Sequence, residues 1–209
     1  MKKITLSTFE KDILSEIGNM CVGNATTALA QILGRRIELE LPAVKVININ
    51  KLSSHLKVDP EETIIGIHMQ ILGGARGNAI MIFPRKDAYT LVDLLIGPFP
   101  QKAGSFTEIG ISALKEVGNI VVSSYLSALS AFTGISSFPS TVTLSSGATR
   151  SLVNLAFTGI NKEECEETIL VEANFKELKR NLDGNFFIVF DASSITMILK
   201  KAKSMIKAK

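Results

Sequence analysis

The sequence has no tryptophan, and aromatic residues make up only 6% of its 209 positions. A core built from it must be mostly aliphatic. With 46% apolar residues the chain is long enough to bury one. Cysteine is almost absent: Cys21 and Cys165 stand alone, which fits a reducing compartment and gives no disulfide framework. The two histidines, His55 and His68, lie in dissimilar surroundings, and no Cys or His pair has metal-ligand spacing, so no metal site is expected. No apolar run approaches the ~20 residues of a membrane span. The opening "MKKITLSTFEKDIL" has no long apolar stretch and does not read as a signal peptide. These absences predict a cytoplasmic protein with no membrane partner. Charge is also in short supply, at net +3. The basic doublets Lys2-Lys3, Arg35-Arg36 and Lys179-Arg180 are scattered, and no basic stripe with interleaved aromatics argues for nucleic acid. The basic tail "LKKAKSMIKAK" reads as a solvated helix end.

What the sequence does have is a copy of itself. "LSEIGNMCVGNATTALAQILG" begins at Leu14, and "LKEVGNIVVSSYLSALSAFTG" begins at Leu114. Leu14, Glu16, Gly18, Asn19, Val22, Ala28, Leu29 and Gly34 recur as identities 100 positions later. Further on, "GNAIMIF" from Gly77 resembles "GNFFIVF" from Gly184, and a helical pattern follows each. Self-similarity of this kind indicates duplication. Two copies are too few and too long for a solenoid, so the expectation is one pseudo-twofold domain over 1–209, with repeats of about 8–97 and 106–207. The Pro/Gly-rich "GPFPQKAGS" marks the join.

Periodicity predicts a helix from about Phe9 to Leu33, closed by Gly34, and a second from about Thr107 to Phe132. Strands are expected near Ala43–Ile49, in "TIIGIHMQIL" and "GNAIMIF" on either side of the turn signal "GGAR", and near Ser140–Leu144, Thr168–Phe175 and Asn185–Phe190. Helices are expected from Arg85 to Ile96 and at the C-terminus. "GATRSLVNLAFTGI" fits either strand or helix. Short links without helices join the strands within each half. The fold class is therefore α/β of the α+β kind: a mostly antiparallel sheet with two long helices segregated over it.

On a helical wheel with Asp12 at the origin, Glu16 lies at about 40° and Asn19 at about 340°. The apolar residues Leu14, Ile17, Cys21, Ala25, Ala28 and Ile32 gather at about 140–220°. Glu16 and Asn19 thus share an outward face one turn apart. The second helix repeats this with Ser112, Glu116 and Asn119. An outward Glu is ordinarily a solvated helix former. Asn is a poor mid-helix residue, and the Gly beside it costs about 1 kcal/mol relative to Ala. Two such placements call for a reason beyond helix propensity. Gly18 and Gly118 could let another surface approach the helix closely.

No His, Cys or Lys shares the face with Glu and Asn in both copies, so nucleophilic chemistry is not indicated. The carboxylate pair of a glycosidase is lost in the second copy, where Ser112 stands in place of Asp12. An amide can hold a water in line for attack on phosphorus, as the glutamine of small GTPases does. A Glu one turn away can pair with a cation on a partner. Such a site would complete another protein's active site.

The pattern [Asp/Ser]-x3-Glu-x2-Asn-x22-Pro resembles the signature of the CheC/CheX/FliY family of chemotaxis phosphatases. Here it reads Asp12, Glu16, Asn19 and Pro42, and in the second copy Ser112, Glu116 and Asn119. The phrases "EIGNMCVGNATTAL" and "ALKEVGNIVVSSYLSAL" resemble the CheC branch. The resemblance implies dephosphorylation of the response regulator CheY. The regulator would supply the aspartyl phosphate, Mg²⁺ and a lysine, and this chain would need no cofactor of its own. Asn19 and Asn119 would orient the hydrolytic water, and Glu16 and Glu116 would pair with that lysine. Asp12, Ser112, Gly18 and Gly118 would serve partner docking. Binding and regulation of the deamidase CheD are implied as well.

The second copy departs from the pattern, since Pro139 comes after 19 residues rather than 22 and Ser123-Ser124 replace Gly23-Asn24. With no residues after the last helix to form the further C-terminal domain of the FliY branch, the CheC branch is the expectation. Two sites in one chain make a monomer the default expectation. The competing readings are a non-catalytic adaptor for CheD or phosphorylated CheY, and a flagellar switch component.

Overall fold

Ser7 opens the first long helix. Its hydroxyl accepts a hydrogen bond from the Glu10 amide at 3.3 Å, and its own amide donates to the Glu10 carboxylate at 2.8 Å. This reciprocal box satisfies two amides that a helix start leaves open. The helix, α1, spans Thr8–Leu33 and stops at Gly34, whose φ of 59° is left-handed. Its counterpart begins at Thr107, whose hydroxyl accepts from the Gly110 amide at 3.2 Å, and stops at Gly134 with φ 68°. The computed structural model describes residues 6–48, 62–98, 106–153, 167–177 and 182–207.

In chain order, α1 is followed by β1 (Glu38–Asn48), β2 (Thr63–Gly73), β3 (Gly77–Pro84) and α2 (Arg85–Ile96). Then come α3 (Glu108–Thr133), β4 (Ser137–Pro139), β5 (Thr143–Ala148) and the short α4 (Thr149–Val153). β6 (Glu167–Glu177), β7 (Leu182–Phe190) and α5 (Ala192–Lys207) complete the fold. The ambiguous "GATRSLVNLAFTGI" resolves into the end of β5 and α4; its remainder lies outside the described residues. The strands form one antiparallel sheet in the order β1-β6-β7-β3-β2-β4, with β5 also on β2. The fold class is therefore as expected.

The register shows how alike the halves are. At the centre, β3 pairs with β7 so that Ile80 faces Phe187. On one side Leu72 pairs with Phe138 and Thr63 with Ala148. On the other, Lys176 pairs with Glu38 and Glu167 with Asn48. Strand β1 corresponds to β4 and β5 taken together, at the offset that relates the two long helices. The irregularity between Glu40 and Ala43 in β1 falls where β4 and β5 are interrupted. The expected strand at Ser140–Leu144 is thus split. Ser140 bridges the gap: its amide donates to the Gln70 carbonyl at 2.8 Å, and its hydroxyl accepts from the Gln70 amide at 3.0 Å. In this register Pro139 stands at the position of Leu39, since they pair with Ile71 and Phe175 respectively. The early proline of the second copy is therefore not a displaced Pro42.

Helices α1 and α3 pack together over one face of the sheet. Ile65, Ile67, Met69, Met81, Phe186 and Ile188 point up into them and are almost fully buried. The α1 residues that are buried run over Ile13, Leu14, Ile17, Gly18, Cys21, Val22, Ala25, Leu29 and Leu33. That arc covers about 100–300° of the wheel, wider than the apolar stripe read from sequence. Ala28 and Ile32, placed in that stripe, are only partly buried. The width follows from packing on a second helix and a sheet at once. Helices α2 and α5 flank the pair. Lys203 of α5 reaches Glu10 at the start of α1 at 2.7 Å, and Tyr89 of α2 stacks on Phe106 before α3 at 4.3 Å. No helix among the described residues is long and apolar enough to cross a membrane.

Candidate active site

The wide buried arc of α1 leaves a narrow strip in solvent. Asp12 and Glu16 are exposed and Asn19 is half-buried on this strip; on α3, Ser112, Glu116 and Asn119 are all exposed. Glu and Asn are three residues apart, about 4.5 Å along the axis, so they act as neighbours on one face. The two helices are held at both ends by the caps described above, and their inner faces lock their rotation. The strip is therefore a rigid presentation of carboxylate and amide rather than a loop.

Among the described residues, nothing within the chain occupies these groups. No side-chain hydrogen bond or ion pair involves Asp12, Glu16, Asn19, Ser112, Glu116 or Asn119. Their neighbours behave differently. Asn24 donates its amide to the Met20 carbonyl at 2.9 Å, and Thr26 and Thr27 bond back to Val22 and Gly23. Asn24 is thus absorbed by its own helix, whereas Asn19 and Asn119 keep donor and acceptor free for an outside group.

Gly18 and Gly118 correct the sequence reading. Both are buried, so neither offers the outer face of its helix to a partner. A Cβ built on Gly118 would lie 2.5 Å from the Ile67 Cγ2 atom and 3.3 Å from the Met69 Cε atom. The close approach is to the chain's own β2. In the second copy the glycine of the unusual Gly-Asn pair is therefore explained by packing of helix on sheet, and in the first it is buried, so the Asn is what still needs a reason outside the fold.

Other reactive groups lie away from the strip. Cys21 is fully buried, and burial pushes its thiol up to about 12. Tyr125 is buried against Phe186 with its phenol raised well above the usual value, chiefly by desolvation. His68 lies on the opposite sheet face, paired with Asn78 at 3.0 Å, and burial holds its pKa below the usual range. Among the described residues, no three His, Cys, Asp or Glu side chains gather as a metal site. The strip can orient a water, accept from a cation and donate to an oxyanion.

Sequence reasoning missed one feature of the strip. Phe9 and Ile109 stand at equivalent positions, 56% and 55% exposed, one turn before Asp12 and Ser112. The wheel puts Phe9 at about 60°, beside Glu16. The shared offset of 100 was the signal available, but the pair is not identical and so escaped a search for identities.

Comparison with known proteins agrees with this geometry. The CheC-like family matches residues 9–46 and 109–136, which contain both strips. The chain is 29% identical to the CheY-P phosphatase CheC of Bacillus subtilis (strain 168) over 180 residues, covering 83% of this chain and 86% of that protein. It is 31% identical over 126 residues to the flagellar motor switch phosphatase FliY of the same organism, covering 60% of this chain and 32% of that one. Among solved structures, Thermotoga maritima FliY superposes with a TM-score of 0.75 at 23% identity, over 96% of this chain and 99% of that one. The CheX–CheY–BeF3–Mg²⁺ complex from Borrelia burgdorferi matches with a TM-score of 0.59 at 16% identity, over 82% and 95%. The resemblance read from the sequence is borne out.

Proposed function

We propose that this chain, CheC-like in sequence and in fold, hydrolyses the aspartyl phosphate of a CheY-type response regulator. One observation carries the reading: a Glu and an Asn, each without a partner among the described residues, face outward at the same spacing on two rigid helices. The similarity to a CheY-P phosphatase over most of the chain supports it, as does a protein of the same fold solved in complex with CheY.

The regulator brings the phosphoryl group and its own Mg²⁺, which when bound neutralises phosphoryl charge. This chain brings orientation. Asn19 or Asn119 accepts a hydrogen bond from a water through its side-chain oxygen and sets that water in line with the phosphorus. Water oxygen bonds to phosphorus and the bond to the regulator's carboxylate oxygen breaks. The electron pair stays with the carboxylate, and inorganic phosphate leaves as dihydrogen phosphate carrying both of the water's protons. Glu16 or Glu116 accepts hydrogen bonds from a lysine of the regulator and fixes the docked register. Positioning of this kind can supply a large share of a rate enhancement, because it replaces entropy otherwise lost in the transition state.

Both strips lie on one chain, so a monomer suffices for two sites. Binding of the deamidase CheD is a further part of the proposal and rests on the family resemblance alone. Turnover separates a phosphatase from an adaptor. A phosphorylated receiver is mixed with a tenth of its concentration of this protein and its lifetime followed. A phosphatase clears the whole pool; an adaptor binds stoichiometrically and leaves the lifetime unchanged.

A further inference from the structure

We infer that Phe9 and Ile109 are apolar anchors that seat the phosphorylated receiver on each strip. This rests on the phosphatase reading of the same face. The two side chains are large, apolar and more than half exposed. They occupy equivalent places in the two halves, at the start of α1 and α3. Each continues the line of its catalytic pair: Phe9, Asp12, Glu16 and Asn19 on one helix, Ile109, Ser112, Glu116 and Asn119 on the other. Their neighbours at the helix starts, Ser7, Thr8, Lys11 and Glu108, are polar and exposed. Scattered exposed apolar residues need no explanation. The same position exposed in both copies, on the strip that carries the free Glu and Asn, does.

Distance fits the role. Phe9 is ten residues from Asn19, about 15 Å along the axis. A protein interface of standard size covers about 800 Å² on each partner, a patch roughly 30 Å across. An anchor at that spacing falls inside the footprint of a receiver whose phosphoryl group sits at Asn19, yet outside reach of the reacting atoms. It adds affinity without joining the chemistry. The receiver should carry a complementary apolar patch about 15 Å from its phosphorylated aspartate. Because Phe and Ile differ in shape, the two strips should also differ in affinity, with the flat ring the stronger anchor.

The test isolates one strip. In an Asn119→Ala background, Phe9→Ala and Phe9→Leu are compared with the parent on a phosphorylated receiver. Phe9→Ala is expected to raise KM about tenfold, as loss of an interface anchor does, with kcat within about twofold. Phe9→Leu should restore most of the affinity. An unchanged KM in Phe9→Ala overturns the inference. Binding to a BeF3-loaded receiver, which cannot turn over, reads the anchor apart from the chemistry. The Asn119→Ala strip still binds, so Phe9→Ala should weaken one of the two binding sites, Phe9→Ala with Ile109→Ala both, and Asn19→Ala neither. If the Asn variants keep full hydrolysis, the phosphatase reading fails, and this binding assay still decides for or against the anchor.

Discussion

Gly118 of α3 lies against Ile67 of β2 so closely that an added methyl group would come within 2.5 Å of the Ile67 Cγ2 atom. Ile67 is fully buried and cannot swing away. This contact sets the height of α3 above the sheet, and with it the position of the Glu116–Asn119 strip on the far side of the same turn.

Gly118→Ala is therefore expected to destabilise the fold. Overpacking costs about 1–3 kcal/mol, against a gain of about 1 kcal/mol from helix propensity. Gly23→Ala is the control, because a Cβ there meets nothing within 4 Å. It should be neutral or stabilising by up to about 1 kcal/mol. Denaturant melts should show Gly118→Ala less stable than the parent and Gly23→Ala no less stable than it; a Gly118→Ala as stable as Gly23→Ala would refute the packing account.

The Glu10–Lys203 contact predicts a pH dependence. The Lys203 hydrogen bond, helped by bonds from Ser7, lowers the Glu10 pKa from 4.5 to about 2. Because the folded value is depressed, the stabilisation is complete above the unfolded value. It is lost as pH falls from about 4.5 through 2. Thermal melts of the parent and Lys203→Ala should differ above pH 5 and converge as pH approaches about 2. A difference that grows on acidification would contradict this pairing. Glu10 lies on the other side of α1 from Glu16 and Asn19 and nine residues from Asn19, so the variant should keep its kcat at neutral pH.

Cys21 is predicted to be inert in the folded state. Burial raises its thiol to about 12, so almost no thiolate exists at pH 8. In a Cys165→Ser variant, a thiol reagent should label the native protein only as fast as the fold opens. Denaturant should speed labelling sharply. Rapid native labelling would mean that the α1–sheet contact is looser than described.

Much of this was legible in the residues, for definite reasons. Gly34 and Gly134 end the long helices because the left-handed cap needs no Cβ, and such a requirement is visible in one letter. Short links between strands forced an antiparallel sheet. The outward placement of Glu16 and Asn19 followed from a turn of about 100° per residue. The order of strands did not follow, because pairing β3 with β7 depends on side chains a hundred residues apart. The role of Gly18 and Gly118 was misread for a related reason. A wheel gives an angle about one axis and says nothing of what lies beyond the helix. Gly18 stands at about 240°, just beside the apolar stripe. Only the neighbouring helices and the sheet together make that flank part of the core. The split at Ser140 was hidden because its compensation comes from Gln70 on another strand.

The central claim is that Asn19 and Asn119 orient the hydrolytic water in two separate sites. Decay of a phosphorylated CheY-type receiver should be measured with the parent, Asn19→Ala, Asn119→Ala and the double variant, each confirmed folded by its melt. Each single variant should keep the activity of its intact strip. The double variant should lose at least about tenfold, since a positioned catalytic group is typically worth about 10²–10⁴. A double variant that hastens decay as well as the parent would contradict the account.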